Sequence, residues 1–189
     1  MDVKNKIVKA HDLSFQKYLS EEKIAERIAA LGQEIAAEYE NKNPLFIAVL
    51  NGAFVFAADL MRACGDLACE VSFVKLSSYD GLASSGKVET ILGLDTSIEG
   101  REIIVIEDIV DTGKTLFQFL QHLAKFNPVS ISLASLLVKP DAIQYHFPIA
   151  YVGFNIPNKF VVGYGLDYNG AGRNFSAIYQ LIESPVVEP

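Results

Sequence analysis

Cysteine is scarce: the 189 residues hold only Cys64 and Cys69, too few for a disulfide framework and too oddly spaced for a usual structural-zinc pair. Both are read as reduced, partly buried thiols. Histidine is almost as rare, and His11, His122 and His146 lie far apart and fit no H-E-x-x-H pattern. They are read as surface or core residues. Basic charge is also short, with 16 Lys and Arg against 23 Asp and Glu and a formal net charge of −7. This balance offers no basic stripe for nucleic acid, and an anionic substrate would need local neutralisation, such as a metal ion. The longest uncharged stretch, Asn43 to Ala58, is interrupted by Asn51-Gly52 and falls short of the ~20 residues a spanning helix needs, so no membrane partner is expected. Met1 to Phe15 scatters Asp2, Lys4, Lys6, Lys9 and Asp12 through what would be the apolar core of a signal peptide, which points to a cytoplasmic protein. Repeats, low-complexity segments and Gly/Ser linkers are absent as well. One domain over residues 1–189 is the expectation.

Half of the residues are apolar and 21% are charged, enough for a compact core. Ser20 precedes Glu21 and Glu22, and Ile24, Ile28, Leu31 and Ile35 recur at helical spacing, which predicts a capped amphipathic helix to about Tyr39. Leu45 to Leu50 reads as a buried strand, Asn51-Gly52 as a turn, Ala53 to Ala63 as a helix and Val71 to Leu76 as the next strand. The polar stretch from about 77 to 90 has no hydrophobic period and the length of a lid. Ile103 to Ile106 predicts a short strand, Lys114 to Phe126 a helix with Leu116, Phe119, Leu120 and Leu123 on one face, and Val129 to Val138 another strand. The β-α-β alternation predicts an α/β fold: a parallel sheet core flanked by helices, with its ligand beyond the carboxyl ends of the strands. The last fifty residues break the rhythm with Ile149 to Phe154 and Phe160 to Tyr164, read as a small β-rich flap.

The chemistry concentrates in Val105 to Thr115, VIEDIVDTGKT. A strand leads into the carboxylates Glu107 and Asp108, then into the turn Asp111-Thr112-Gly113-Lys114-Thr115 that opens a helix. Such a turn offers consecutive backbone N–H groups and the positive end of the helix dipole to a phosphate, and the Thr112 and Thr115 hydroxyls add donors. Gly113-Lys114-Thr115 invites comparison with a nucleotide-triphosphatase P-loop, but that motif needs glycine where Asp108 stands, and a carboxylate there would repel a triphosphate. Acceptors for ribose hydroxyls beside a cradle for one phosphate suit a sugar phosphate better. The bland alternative is an acidic pair that merely caps a strand; its position ahead of a phosphate-binding turn argues against it.

This segment resembles the phosphoribosyl-pyrophosphate signature of the type I phosphoribosyltransferases, and three later motifs narrow the resemblance to the hypoxanthine-guanine branch. These motifs are Leu137-Val138-Lys139, the run Ile156 to Tyr164, and Leu166-Asp167-Tyr168-Asn169 followed by Arg173. The resemblance implies transfer of a phosphoribosyl group from phosphoribosyl pyrophosphate to hypoxanthine or guanine in purine salvage, with Mg2+ as cofactor and a homodimer or homotetramer as the assembly. It implies that Glu107 and Asp108 hold the ribose hydroxyls, that Asp111, Thr112, Gly113, Lys114 and Thr115 cradle the 5-phosphate, and that Asp111 also serves as general base near N7. Lys139 would donate to the 6-oxo group, Phe160 stack on the purine, and Val161 read its edge through the backbone. Asp167 would associate with magnesium, as would Glu107 and Asp108, and also border the purine; Arg173 would bind pyrophosphate together with the Asn51-Gly52 loop. The purine-binding flap would span about 139–175, and the stretch 77–90, with Ser78 and Tyr79 at the family's Ser-Tyr pair, would be a mobile loop that excludes water from the reacting sugar.

Singly, Phe160 reads as core, Lys139 as a solvated charge and Asp167 as a turn residue; their joint spacing favours the site. One departure stands out: Asn51 occupies a position where the family often carries lysine or arginine. A phosphoribosyltransferase preferring xanthine, or an RNA-binding regulator on the same fold, are the competing readings. The acidic balance opposes the second.

Overall fold

Strands that are apolar along their whole length belong in a sheet covered on both faces, because successive side chains point to opposite sides. The structure, a computed structural model, describes residues 6–77, 89–92, 94 and 96–182 and bears this out. In β3 (Leu45–Leu50), Phe46 and Ala48 join a cluster with Ile24, Leu31 and Ile35 of α1 (Glu21–Glu38) and Phe56 and Leu60 of α2 (Phe54–Ala63). The intervening Leu45, Ile47 and Val49 join Leu116, Phe119 and Leu123 of α3 (Lys114–Ala124) on the other face. The same alternation runs through β6 (Glu102–Val110), where Ile104 and Ile106 face one cluster and Ile103 and Val105 the other. Each such side chain, fully buried, contributes about 1.5–3 kcal/mol. Truncating Phe56 to alanine would therefore cost about 3–5 kcal/mol. At the start of α1, Ser20 Oγ accepts the Lys23 amide at 3.4 Å, the expected cap.

The main sheet has the order β5-β4-β3-β6-β7-β8, with β4 at Glu70–Ser77, β5 at Glu89–Leu92, β7 at Ser130–Val138 and β8 at Tyr151–Asn155. All neighbours run parallel except β4 and β5. From β3 the chain passes through α2 to β4 on one side; later it returns to β6 on the other side of β3 and continues through α3 to β7. The winding direction therefore reverses between β3 and β6, and a ligand crevice opens at the carboxyl ends of these two strands. Ala48 pairs with Ile106, so continuing the register sets Leu50 level with Asp108. A second, antiparallel sheet has the order β1-β2-β10-β9, from Ile7–Ala10, Leu13–Leu19, Ile178–Leu181 and Val161–Val162, and packs Phe15, Val162, Ala177 and Tyr179 together. No helix among the described residues is long and apolar enough to cross a membrane.

Three readings of the sequence are corrected by this architecture. The second sheet, which forms the hood of the molecule, includes an N-terminal hairpin, β1 and β2, where the sequence showed only scattered charge: β2 reads LSFQKYL, and its one fully buried side chain is Phe15. The segment near Ile149 to Phe154 belongs to the main sheet as β8 rather than to the flap. Its link from β7 is a short 3-10 turn, Pro140–Ala142, with irregular chain after it, so the helical half of the β-α-β rhythm is missing although the pairing is parallel. Finally, β6 runs on to Val110, placing Glu107 and Asp108 inside the strand instead of after it.

Candidate active site

The turn after β6 is built for glycine. Gly113, the N-cap of α3, has φ +79, and a Cβ there would stand 2.9 Å from the Tyr145 carbonyl oxygen and 3.0 Å from Phe147 Cε1. The Thr112 carbonyl accepts the amides of Gln144 and Tyr145 at 3.0 and 3.1 Å, which pins the turn from behind. The N-cap Gly113 has no side chain to cap α3, and the Lys114 amide donates to Thr112 Oγ1 at 3.5 Å. First-turn amides and the helix dipole are thus presented to the crevice, as a phosphate requires.

Beside this turn stand Glu107 and Asp108. Burial, reinforced by the neighbouring Asp108 charge, holds the Glu107 carboxyl well above the ordinary carboxylate range; burial also raises Asp108. Asp108 Oδ1 accepts the Ile109 amide at 2.8 Å. Its other oxygen presses on the loop after β3, where a Cβ on Gly52 would fall 1.5 Å from Asp108 Oδ2. The peptide Leu50–Asn51 in that loop is cis. From the hood, Gly165 (φ +101) meets the same loop, since a Cβ there would lie 2.1 Å from the Gly52 carbonyl oxygen.

A cavity of about 370 Å³ is enclosed by these parts: Gly52, Glu107, Asp108, the 111–115 turn, Asp167 and Arg173 all line it. A second of about 240 Å³ adjoins it, walled by Lys139, Phe160, Val161 and Leu166 and sharing Asp108, Asp111 and Asp167 with the first. A larger hollow of about 640 Å³ lies elsewhere, against Val74, Phe119, His122 and Phe126. Size alone does not select the site, because none of the candidate residues borders that hollow.

Within the smaller cavity, Lys139 is buried just past β7 and its Nζ donates to Asp111 Oδ2 at 2.6 Å. Phe160 leaves 45% of its surface exposed, and its ring sits edge-on to Tyr168 at 5.9 Å and tilted against the buried Phe15 at 6.2 Å. That exposure in a cavity wall suits stacking on a planar ligand. Arg173 Nη2 pairs with Asp167 Oδ1 at 2.7 Å, while Nη1 donates to the Gly165 carbonyl at 2.7 Å. Asp167 Oδ2 also accepts the Gly170 amide at 2.6 Å.

The structure therefore brings together Gly52, Glu107, Asp108, the 111–115 turn, Lys139, Phe160, Val161, Asp167 and Arg173. Asn51 borders neither cavity, although Leu50 and Gly52 line the larger site cavity. Ser78 and Tyr79 lie outside the described residues. Sequence reasoning missed Ile109 and Leu166, which wall the smaller cavity, and Gly165; Leu166 stood inside a quoted motif, and the signal at Gly165 was a glycine between two motif residues. Among the described residues no three His, Cys, Asp or Glu side chains cluster as a metal cage. The carboxylates present are hard oxygen donors suited to a cation such as magnesium that keeps water and substrate oxygens as its other ligands.

The family model for the phosphoribosyl transferase domain matches residues 14–169. A hypoxanthine-guanine phosphoribosyltransferase of Mycobacterium avium is 45% identical over 167 residues, covering 85% of this chain and 82% of that protein. A solved hypoxanthine phosphoribosyl transferase of Trypanosoma cruzi is similar with a TM-score of 0.84 and 37% identity, over 93% of this chain and 95% of that one. The "Bifunctional protein TilS/HprT" of Listeria innocua is 45% identical over 162 residues, which cover 85% of this chain but only 25% of that longer protein.

Proposed function

The chain belongs to the phosphoribosyltransferase family, in its hypoxanthine-guanine branch, and from that premise we propose that it joins hypoxanthine or guanine to the ribose of phosphoribosyl pyrophosphate, releasing pyrophosphate. One observation carries the reading: two adjoining cavities share Asp108, Asp111 and Asp167, one offering a phosphate turn with an acidic pair, the other an open aromatic ring with a buried lysine. A sugar phosphate in the first and a purine in the second would meet at the shared carboxylates.

In this reading the amides of 112–115 hold the 5-phosphate, while Glu107 and Asp108 accept from the ribose hydroxyls. An incoming 6-oxopurine exchanges the Lys139–Asp111 contact for two new ones: Lys139 donates to the 6-oxo oxygen, and Asp111 accepts the proton at N7 as N9 attacks C1 of the ribose. Phe160 stacks on the base and the Val161 backbone reads its edge. Arg173 and the backbone at Gly52 receive the departing pyrophosphate. Glu107, Asp108 and Asp167 would stand nearest to magnesium, which supplies neutralisation of negative charge on the leaving group when bound. A cytoplasmic homodimer or homotetramer is the assembly in this proposal.

The test is a spectrophotometric assay with phosphoribosyl pyrophosphate, magnesium and, separately, hypoxanthine, guanine, xanthine and adenine. Nucleotide formation with the first two, abolished by a chelator and restored by magnesium, is expected. Turnover of xanthine or adenine alone would overturn the assignment.

A further inference from the structure

The hood and the loop after β3 are joined by a contact that the proposed chemistry leaves unused. Asp59 stands on α2, the helix that begins two residues after Gly52. Its Oδ2 accepts a hydrogen bond from the Tyr164 hydroxyl, and its Oδ1 accepts from Arg62 Nη1 at 2.7 Å. Tyr164 is buried and has a left-handed backbone, φ +51, a conformation that a bulky residue adopts only where its surroundings fix it. Its amide donates to the Phe175 carbonyl at 2.8 Å. Burial and then the Asp59 carboxylate hold the phenol far above its usual range, so the hydroxyl keeps its proton and remains a donor.

The next residue makes the connection. Gly165 packs its backbone on the Gly52 carbonyl so closely that a Cβ would come within 2.1 Å of it. The Gly165 amide donates to the Arg173 carbonyl at 2.9 Å, and the Gly165 carbonyl receives the Arg173 guanidinium at 2.7 Å. Gly52 and Arg173 both line the larger site cavity. Two of the base-side residues are held by other means: Lys139 follows β7 with its amide on the Val110 carbonyl, and Val161 is paired to Gln180 in the second sheet.

We infer that Asp59 and Tyr164 are a positioning pair that presses the Gly165 backbone onto Gly52 and so sets Gly52 and Arg173 for the pyrophosphate group. The inference rests on the proposed function. Losing the pair should loosen the pyrophosphate side of the site more than the purine side, because Lys139, Phe160 and Val161 are not built on the 52–165 contact, whereas Leu166 and Asp167, which also border the smaller cavity, follow Gly165 directly. Small misplacements matter here: about 1 Å at a positioning contact can cost on the order of 10²-fold in rate.

The experiment compares Tyr164→Phe, Asp59→Ala, Asp59→Asn and the double variant Asp59→Ala/Tyr164→Phe. KM is measured separately for phosphoribosyl pyrophosphate and hypoxanthine, alongside kcat, Tm and calorimetric titration with magnesium pyrophosphate. Tyr164→Phe and Asp59→Ala should raise KM for phosphoribosyl pyrophosphate roughly five- to tenfold, the scale of one hydrogen bond, with a clearly smaller rise in the hypoxanthine KM. Asp59→Asn, whose amide oxygen still accepts from the phenol, should restore most of the affinity, and the double variant should be no worse than either single one. A phosphoribosyl-pyrophosphate KM that ignores Tyr164→Phe, or an equal rise in both KM values with a fallen Tm, would overturn the pair. The pyrophosphate titration needs no turnover: a protein that binds pyrophosphate but converts no base overturns the proposed function, while the pair stands or falls on whether Tyr164→Phe weakens that binding.

Discussion

Replacing Gly52 with alanine adds one methyl group at the tightest point of the site. Its Cβ would fall 1.5 Å from Asp108 Oδ2 and 2.4 Å from Asp108 Cγ. Ordinary carbon contacts lie near ~3.5 Å, so the carboxylate would have to retreat by about 2 Å or the loop by a similar distance. Asp108 is already fixed on one side by the Ile109 amide, so the retreat breaks either that bond or the geometry that the proposed function assigns to ribose binding. A lost hydrogen bond to a charged group is worth about 1.5–3 kcal/mol, which is roughly a ten- to hundredfold fall in kcat/KM for phosphoribosyl pyrophosphate. Initial rates of nucleotide formation at varied phosphoribosyl pyrophosphate measure it, with Tm as the control for overpacking, expected to cost about 1–3 kcal/mol. Because the damage runs through Asp108, Gly52→Ala should do little more in an Asp108→Ala background. Asn51→Ala, one residue earlier but outside both cavities, should change KM only a few-fold. A Gly52→Ala enzyme with wild-type kcat/KM, or an Asn51 effect larger than the Gly52 effect, would refute the argument that backbone approach governs this loop.

Asp111→Asn should lower turnover by roughly 10²–10⁴-fold with little change in phosphoribosyl-pyrophosphate binding, and near-normal turnover would remove Asp111 from the proton transfer. Adenine should be a very poor substrate, because buried Lys139 donates to a 6-oxo group but faces donors on a 6-amino group; discrimination on the order of 10⁴ is expected, and comparable rates for adenine and hypoxanthine would sink the assignment of Lys139. Glu107→Gln should raise Tm at neutral pH while weakening phosphoribosyl-pyrophosphate binding. The sign follows from the raised carboxyl of folded Glu107: the native state holds that proton more tightly than the unfolded chain, so wild-type stability falls as pH climbs above the ordinary glutamate value of about 4.3. Thermal melts at about pH 7.5 and pH 4, either side of that value, check this, and an equal Tm difference at both would contradict it.

How much of this was legible depended on how local each feature is. Helices α1 and α3 and strand β3 announced themselves because cap, period and length agree within single segments, as at Ser20 and the Ile24 to Ile35 series. The 107–115 segment was readable as a motif, since acids and turn are contiguous, although the strand itself runs on through both acids to Val110. By contrast, β1 and β2 are short, charged and paired only with each other and with β10 at the opposite end of the chain, so no local pattern could assign them. Strand β8 hid behind a connection without a helix. The orientation of the 50–52 loop was not readable at all: a residue in a ligand-binding turn can face ligand or solvent, and Asn51 stays outside the cavity that its two neighbours line.

The sequence also displays charges without showing how they are partnered, and the pairing changes the account of binding. A chain of net charge −7 that takes a polyanion would be expected to hold bare cations ready. Two of the site's cations are instead committed, Lys139 to Asp111 and Arg173 to Asp167, and burial raises the proton affinity of the Glu107 and Asp108 carboxyl groups. Isolated buried charges would be costly, and these pairs and the raised carboxyl groups neutralise the site internally. In the proposed function, ligands would exchange partners with these pairs, and affinity would be the difference between two sets of charge-assisted contacts rather than the sum of one. A ligand that breaks the Lys139–Asp111 pair without giving buried Lys139 a new acceptor would leave a buried charge alone. That penalty, more than any attraction, is what would make the smaller cavity selective for a base carrying an acceptor at position 6 beside a proton at N7.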